Sequence, residues 1–285
     1  MPELPEVETI RRGLANCLEK SKGGKILKVK VLEKKCFIGD STEIIGAEVR
    51  QMRRRGKALI FDLSNKKSLI CHLRMTGQMI WVGSERFAGG HPNDNFIDKL
   101  PNKQTRVIID FENGTLFFND QRKFGFIKVT PTCEVEEDSF IKKLAKEPWE
   151  MTGKELYEKL QRHKGAPIKS VILDQTIIAG LGNIYADETL YYAKINPKRK
   201  AGLVSKSEAG KLVEGARVVM DRSLEAGGST LRNYVKSDGT KGDYLKLFAE
   251  VFNRQGEKCR RCGAEIVKTK VSGRGTHYCP KCQNK

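Results

Sequence analysis

The sequence predicts a multidomain α+β protein: a helix and a β-sandwich, followed by a helical region that ends in a metal-binding hairpin. Short segments of alternating apolar residues fill most of residues 26–129, helical periodicity dominates residues 152–225, and two Cys-x-x-Cys pairs stand near the C-terminus. With 285 residues, the chain can form more than one hydrophobic core. The predicted divisions are 1–130, a linker at 131–150, 151–243 and 244–285.

The first half of the chain begins with one helix and continues as strands. Val7, Ile10, Leu14 and Leu18 share one helical face, which predicts a helix from residue 5 to about residue 20. Asn113-Gly114 predicts a hairpin with a type I′ turn, because both residues tolerate positive φ. We expect a long loop over residues 84–104. The predicted strands are 26–32, 47–54, 58–63, 68–73, 78–82, 105–111, 115–118 and 126–129.

The second half is helical. We expect helices at 152–163, 167–174, 183–193 and 205–225. Thr152 and Ser205 are predicted N-caps, and Glu208 gives the second of them capping-box spacing. The Gly-rich segment 175–182 predicts a tight double turn, with Asn183 as the cap of the helix that follows.

Composition indicates a polyanionic partner. Lys and Arg number 53 against 35 Asp and Glu, so the formal net charge is +18, and nucleic acid is favoured over an acidic membrane. The sequence shows no apolar run of membrane-spanning length and no leader pattern, so we expect a cytoplasmic protein without membrane contact. Four scattered cysteines are expected to be small buried hydrophobes in a reducing compartment: Cys17, Cys36, Cys71 and Cys133.

The first residues carry candidate chemistry. Removal of Met1 would make Pro2 a terminal secondary amine, whose pKa of about 8 leaves part of it unprotonated at neutral pH. Such an amine attacks an aldehyde-like carbon to give a cationic iminium, and Glu3 beside it could transfer protons. The alternative interpretation is ordinary capping, with Pro and Glu at the start of a helix.

The C-terminal cysteines indicate a zinc site. Cys259 and Cys262 are separated from Cys279 and Cys282 by 16 residues, a spacing typical of a tetrahedral site with four cysteine ligands. Four thiolates leave no position for water, so one Zn²⁺ with a structural role is predicted. Disulfides or an iron centre are the alternatives.

Basic and apolar residues at turns are candidate nucleic-acid contacts. Arg274 stands between two glycines at the predicted tip of a hairpin, where it could approach a phosphate, and backbone amides near Asn183 could bind another. The alternative for Arg274, and for Lys57 before a strand, is a merely solvated side chain, and Gly-Asn before a helix is common without a bound phosphate. Met75 and Phe124 could be wedges in a base stack or ordinary core residues. The loop from Gly227 to Gly242 could be a lid or a disordered segment.

Taken together, these motifs resemble the bacterial formamidopyrimidine-DNA glycosylase family along the whole chain. The resemblance is carried by Pro2-Glu3-Leu4-Pro5-Glu6, Arg55-Gly56-Lys57, His72-Leu73-Arg74-Met75-Thr76-Gly77, Asp120-Gln121-Arg122-Lys123-Phe124-Gly125, Leu173-Asp174-Gln175-Thr176, Ala179-Gly180-Leu181-Gly182-Asn183-Ile184-Tyr185 and Gly273-Arg274-Gly275-Thr276-His277. It implies a helix-two-turns-helix region before the zinc finger and an enzyme, a glycosylase and abasic-site lyase, that acts on oxidised purines in duplex DNA. A monomer is expected.

The resemblance also implies roles for single residues. Pro2 would be the nucleophile, Glu3 the acid and base, and Lys57 a phosphate contact near the lesion. Contacts with damaged double-stranded DNA would come from His72, Met75, Arg122, Phe124, Asn183, Tyr185 and Arg274. Ser229, Thr230, Arg232 and Tyr234, in a lesion-capping loop at 226–243, would close over the extruded base.

One segment departs from the family pattern. Asn102-Lys103-Gln104-Thr105 replaces a Lys-His-x-His run, which puts packing near the active cleft and lesion preference in question. Two rival functions stay open: the sister endonuclease VIII-type glycosylase, which acts on oxidised pyrimidines, and a non-catalytic zinc-ribbon protein that binds DNA or ribosomal RNA.

Overall fold

The computed structural model describes residues 2–20, 24–91, 99–227 and 248–283. These residues form two compact units that divide between Lys142 and Lys143. We call the described residues up to 142 the N-terminal unit, and those at 143–226 and 248–283 the C-terminal unit. The division falls inside the segment 131–150. Over the described ranges, no helix is both long enough and apolar enough to cross a membrane.

The N-terminal unit consists of one helix and two five-stranded sheets. The sheets have the strand orders β1-β8-β9-β6-β7 and β2-β10-β5-β4-β3, and every pairing is antiparallel except that of β2 with β10. The elements are α1 (Leu4–Lys20), β1 (Ile26–Val31), β2 (Phe37–Ile38), β3 (Val49–Arg55), β4 (Ala58–Leu63), β5 (Lys67–His72), β6 (Gly77–Gly83), β7 (Arg86–Gly90), β8 (Thr105–Phe111), β9 (Gly114–Asp120) and β10 (Phe126–Pro131).

The core of this unit lies between the two sheets and under α1. Alternate residues of the strands enter it, such as Leu59 and Phe61 from one sheet and Trp81 and Phe118 from the other. This is the period-two pattern from which the sequence predicts the strands, since successive side chains of a strand point to opposite faces. The predicted sandwich is confirmed.

Two predictions in the sandwich are wrong. Strand β7 lies in the segment predicted as a loop, because its small residues give no alternating pattern. Those residues are needed where α1 crosses β7 closely: a Cβ at Gly89 would touch the side chain of Ile10.

The turn between β8 and β9 closes one residue earlier than predicted, with Phe111 paired to Gly114, and neither Asn113 nor Gly114 has a positive φ. It is therefore not a type I′ turn.

Helix α1 makes a second contact with β7 that is closer than a side chain would permit. A Cβ built on Gly13 would overlap the ring of Phe87 in β7. The absence of a Cβ at this position lets the helix lie directly on the strand. The helix that begins beside Pro2 is therefore fixed against the sheet by close packing.

The C-terminal unit contains α2 (Gly153–Gln161), α3 (Ile168–Ile172), α4 (Asn183–Tyr192), α5 (Lys206–Glu225), β11 (Val267–Val271) and β12 (Arg274–Tyr278). Thr152 and Ser205 are N-caps, and both form complete capping boxes, with Glu155 and Glu208. Helix α4 begins at Asn183 as predicted, but its predicted cap is wrong by one residue, because Gly182 is the N-cap and Asn183 is the first helical residue.

The scattered cysteines follow the prediction except at one position. Cys17, Cys36 and Cys71 are buried, and burial raises the pKa of the Cys17 and Cys36 thiols to about 11. Cys133 is exposed, because it lies in a single 3-10 turn, Thr132–Glu134, that contributes no residue to the core.

Candidate active site and nucleic-acid interface

Pro2 and Glu3 lie together at the start of α1, and both are buried. The backbone N–H of Glu3 donates a hydrogen bond of 2.9 Å to the carboxylate of Glu6, and its carbonyl accepts one of 3.0 Å from Val7. Glu6 therefore supplies the side-chain cap of this helix, as the capping interpretation expected. Glu3 itself is only 3% exposed.

Lys57 and His72 lie beside each other at one end of the second sheet. Gly56 and Lys57 form the two-residue turn between β3 and β4, and Ala58, the next residue, pairs with His72 at the end of β5. Gly56 has a φ of 55°, which suits this turn. Both Lys57 and His72 are buried, with 5% and 6% of their surfaces exposed.

His72 is held as a neutral imidazole. Burial, with help from the charges of Arg74 and Lys57, lowers its pKa from 6.5 to about 3. Its Nδ1 accepts a 3.0 Å hydrogen bond from the backbone N–H of Arg74, so Nε2 carries the ring proton. The ring is enclosed by Phe126, stacked at 6.1 Å, and by Phe140, edge-on at 5.0 Å. At neutral pH, His72 can donate a hydrogen bond but carries no positive charge.

Asp120 joins the two loops that carry the candidate wedge residues. One carboxylate oxygen accepts hydrogen bonds from the backbone N–H groups of Phe124, at 2.8 Å, and Gly125, at 2.7 Å. The other accepts from the N–H of Arg122, at 3.1 Å, and from the hydroxyl of Thr76. Asp120 is 1% exposed, so this charge is compensated mainly by these donors.

These loops present Met75, Arg122 and Phe124 at the surface of the N-terminal unit. Phe124 is 56% exposed, so the core interpretation of this ring is wrong, and the guanidinium of Arg122 lies 4.8 Å from the ring centroid. Met75 is half-buried. A rigidly based loop with an exposed aromatic ring is suited to insertion between bases.

Asn183 and the hairpin that carries Arg274 are joined in the C-terminal unit. The side-chain amide of Asn183 donates to the carbonyl oxygen of Gly275 at 3.0 Å, and Lys169 Nζ donates to the same oxygen at 2.8 Å. Lys169 is fully buried and lies 2.7 Å from the Asp187 carboxylate, which also accepts from the backbone N–H of His277. A buried ion pair thus connects α3 and α4 to β12.

Arg274 is exposed and begins β12, where it pairs with Val271. The turn between the strands consists of Ser272 and Gly273, with φ of 46° and 77°. Arg274 therefore lies directly after the tip of the hairpin and not within it, where the sequence predicts it. It directly precedes Gly275, whose carbonyl oxygen accepts from Asn183 and Lys169.

Tyr185 does not lie at a surface. Its side chain is 0% exposed, and its hydroxyl is 2.6 Å from that of Ser223 in α5. The prediction of a DNA contact by this side chain is therefore wrong, because the ring fills the core between α4 and α5. The sequence gives no clear signal of this burial, because Asp187, Glu188 and Thr189 follow Tyr185 within one turn of α4.

The four C-terminal cysteines converge. Their Sγ atoms all lie within 4.8 Å of one another, with 3.5 Å between Cys262 and Cys279 and 4.0 Å between Cys259 and Cys282. Tetrahedral Zn–S bonds of about 2.3 Å place sulfurs about 3.8 Å apart, so the cluster fits such an ion. Cys259 and Cys279 are buried in a small apolar cluster with Tyr191, Val251 and Ile266.

Other residues of the site are not predicted from the sequence. Asp120, Thr76, Lys169 and Asp187 contribute through hydrogen bonds between segments that are far apart in the chain. The predicted lesion-capping residues Ser229, Thr230, Arg232 and Tyr234 lie outside the described residues.

The two units are those of a DNA-repair glycosylase with a helix-two-turns-helix region and a zinc-finger hairpin. Three family models match: the formamidopyrimidine-DNA glycosylase N-terminal domain at residues 1–127, the H2TH domain of the same enzymes at 144–235, and a zinc finger found in FPG and IleRS at 256–285. The chain belongs to the formamidopyrimidine-DNA glycosylase family.

Individual relatives match along the whole chain. Formamidopyrimidine-DNA glycosylase of Pelotomaculum thermopropionicum is 40% identical over 287 residues, covering 99% of both chains. The one from an Exiguobacterium species is 39% identical over 293 residues, covering 100% of both. Two Lactococcus lactis FPG structures each have a TM-score of 0.85, 35% identity and full coverage of both chains; one is a mutant with Fapy-dG-containing DNA, the other a complex with abasic-site-containing DNA.

Proposed function

We propose that this protein excises oxidised purines, 8-oxoguanine and formamidopyrimidines, from duplex DNA and then cleaves the strand at the resulting abasic site. The observation that carries the proposal is the buried Pro2-Glu3 pair at the start of a helix packed closely onto the sandwich. The Lactococcus lactis relatives, solved with Fapy-dG and with abasic DNA, support the same substrate class.

The chemistry follows from a secondary amine. Pro2 nitrogen, freed by removal of Met1, attacks C1′ of the damaged nucleotide; the bond to the base breaks, and the base leaves with the electron pair and a proton. Opening of the sugar ring gives an iminium between Pro2 and C1′. This cation acidifies C2′–H, whose loss expels the 3′ phosphate, and a second elimination expels the 5′ phosphate. Glu3 donates and accepts the protons, and water finally releases the sugar fragment from Pro2.

The remaining site residues hold an extruded nucleotide. A base inside a duplex cannot be reached, and flipping it out costs a few kcal/mol. Lys57, Asn183 and Arg274 would bind the same stretch of phosphates near the lesion, and His72 would assist as a neutral hydrogen-bond donor. Met75, Arg122 and Phe124 would fill the vacated stack, and Ser229, Thr230, Arg232 and Tyr234 would close over the flipped base.

We assign one structural Zn²⁺ to Cys259, Cys262, Cys279 and Cys282. The zinc-finger family match and the sulfur separations support this assignment. Zinc bound there stabilises the fold of the hairpin, because its free energy of binding becomes free energy of folding. We further propose that the protein acts as a cytoplasmic monomer on damaged double-stranded DNA.

Borohydride trapping on an abasic duplex tests the proposal. Reduction of the iminium should leave protein covalently bound to DNA, and a form extended by residues before Pro2 should give no adduct, because its nitrogen is an amide. The matched control carries the same extension at its C-terminus and should trap normally. Absence of an adduct from protein that begins at Pro2 would refute the mechanism.

Excision from duplexes with 8-oxoguanine rather than thymine glycol separates the purine enzyme from its pyrimidine-specific sister class.

A further inference from the structure

Tyr191, near the end of α4, contacts the cysteine cluster directly. Its hydroxyl oxygen lies 3.3 Å from Cys259 Sγ, and the side chain is 3% exposed. The separation falls within hydrogen-bonding distance for a sulfur acceptor. Tyr191 thereby links the helix that begins at Asn183 to the first cysteine of the cluster.

The direction of this hydrogen bond follows from the metal. A cysteine that binds zinc does so as a thiolate, which has no proton to donate. The Tyr191 hydroxyl is then the donor and Cys259 Sγ the acceptor. This step rests on the proposed occupancy of the cluster by zinc.

Arg261 holds the Tyr191 ring in place. Its guanidinium lies 4.1 Å from the ring centroid, and its Nη1 donates to the Tyr191 carbonyl at 3.1 Å. A cation over the face of the ring is attracted to its π electrons and strengthens the hydroxyl as a donor. Arg261 stands inside the first Cys-x-x-Cys pair, so the ligand loop itself orients the tyrosine.

Apolar side chains cover part of the bond. Val251 and Ile266 pack with Tyr191 and Cys259, and both are 0% exposed. Hydrogen bonds are stronger in a medium of low dielectric constant, where water does not compete for the acceptor. Cys259 Sγ also accepts hydrogen bonds from the backbone N–H groups of Arg261 and Cys262, and the Tyr191 hydroxyl adds a side-chain donor to this set.

We propose that Tyr191 is a positioning residue of the zinc centre: its hydroxyl orients the Cys259 thiolate and withdraws negative charge from it, which retains the ion. Groups that hydrogen-bond to metal ligands commonly change metal affinity by about 10- to 100-fold when they are removed. Tyr191 lies in α4, so the same helix that presents Asn183 also secures the ion beside the Arg274 hairpin.

Zinc transfer to a coloured chelator tests the proposal. Tyr191→Phe removes the hydroxyl and keeps the ring, and zinc should leave this variant about ten times faster than the unmodified protein. Tyr192→Phe is the matched control, since the neighbouring hydroxyl donates to Glu214 at 2.8 Å and not to a sulfur. Equal rates for Tyr191→Phe and the unmodified protein, or equal acceleration in both variants, would overturn the proposal.

Cobalt substitution provides a readout that altered packing alone would not move. Loss of a hydrogen bond raises the energy of the sulfur lone pairs, so the sulfur-to-cobalt charge-transfer band should shift to longer wavelength in Tyr191→Phe and stay in place in Tyr192→Phe. An unshifted band in Tyr191→Phe would contradict the assigned bond. Arg261→Ala should accelerate zinc release more than the same change at its exposed neighbour, Arg260→Ala. Equal rates of release in these two variants would show that Arg261 does not orient Tyr191.

Metal analysis of the purified protein separates this inference from the proposed zinc site. If the protein holds no zinc, the assignment of the ion fails, and the role of Tyr191 fails with it. If it holds one equivalent and Tyr191→Phe releases it at the unmodified rate, the inference alone fails.

Discussion

The side-chain amide of Asn183 donates a hydrogen bond to the carbonyl oxygen of Gly275, 3.0 Å away. Asn183 begins α4, and Gly275 follows Arg274 in the hairpin, 92 residues later in the chain. The two residues proposed to bind the same stretch of phosphates are therefore spaced by the protein itself. Binding does not have to organise them, which lowers its entropic cost.

Lys169 supports the spacing of Asn183 and Arg274, and its replacement should lower the free energy of unfolding. Lys169→Met would leave Asp187 buried without its cation, because both side chains of the 2.7 Å pair are 0% exposed. Breaking one partner of such a pair costs about 3–5 kcal/mol. Denaturant unfolding of the zinc-loaded protein measures the loss. The control Lys154→Met changes an exposed lysine of α2 and should stay within about 0.5 kcal/mol.

Arg274 should contribute a single phosphate contact. Arg274→Ala is expected to weaken binding equally for all DNA sequences and to lower the slope of log affinity against log salt by about one. Fluorescence anisotropy over a salt series measures both effects. Lys211→Ala, which removes an exposed cation from α5, is the matched control and should leave the slope unchanged. A slope unaffected by Arg274→Ala would exclude the phosphate role.

Asp120 should be required for the geometry of both wedge loops. In Asp120→Asn, an NH2 group replaces one acceptor oxygen and faces at least one backbone N–H donor, whichever way the amide is turned. Each unsatisfied buried donor costs about 1–3 kcal/mol, so stability and insertion of Phe124 should both decrease. Thermal unfolding and the fluorescence of 2-aminopurine opposite the lesion report the two effects. Asp110→Asn, whose carboxylate accepts from Thr115 at 3.0 Å in the same sheet, should have little influence on the fluorescence.

His72 should make stability fall in acid. Its pKa is about 3 in the folded protein against 6.5 ordinarily, so the unfolded chain binds a proton first. The contribution of the neutral His72 to the free energy of unfolding is complete above pH 6.5. It is lost, by about 1.4 kcal/mol per pH unit, as the pH falls toward 3. His72→Gln cannot titrate, so the stability gap between it and the unmodified protein should narrow below pH 6.5. A stability gap that stays constant below pH 6.5 would contradict this role of His72.

Replacement of Gly13 by alanine should destabilise the protein, although helix propensity alone predicts stabilisation. Alanine normally stabilises a helix interior by about 1 kcal/mol relative to glycine. In Gly13→Ala, the new methyl group would meet the Phe87 ring, and overpacking of this kind costs about 1–3 kcal/mol. Gly210→Ala in α5 has no atom within 4 Å of the added carbon and should raise the melting temperature. The measurement is thermal unfolding, and a stabilised Gly13→Ala would show that helix α1 can move.

The sequence predicts elements wherever local patterns determine them. The alternation in β4 and β5, the capping boxes of α2 and α5 and the cysteine spacing are all local, and each predicts its structure correctly. Strand β7 escapes prediction because its residues are matched to α1, more than 70 positions earlier: Gly89 accommodates Ile10, and the Phe87 ring packs on Gly13.

The same reason explains the site residues that the sequence does not reveal. Lys169 has the appearance of one more solvated charge on a short helix until Gly275 and Asp187 are brought to it. Asp120 gains its significance from Thr76 and from a turn that folds back onto it. Tyr185 is misassigned because it stands in a motif with candidate DNA contacts. Motifs locate the chemistry, and long-range packing decides which side chains support it.

The close contact of Gly13 with Phe87 has a consequence for how the amine proposed as the nucleophile can be positioned. About 13 Å of unbroken helix separates that contact from Leu4, so a shift of α1 at Gly13 would be transmitted to its N-terminus. A smaller side chain at Phe87 would therefore move the N-terminus of α1, beside Pro2, without changing any residue proposed to take part in the reaction. Catalytic rate could thus be adjusted from a distance, through the shape of a helix-to-strand contact rather than through any reacting group.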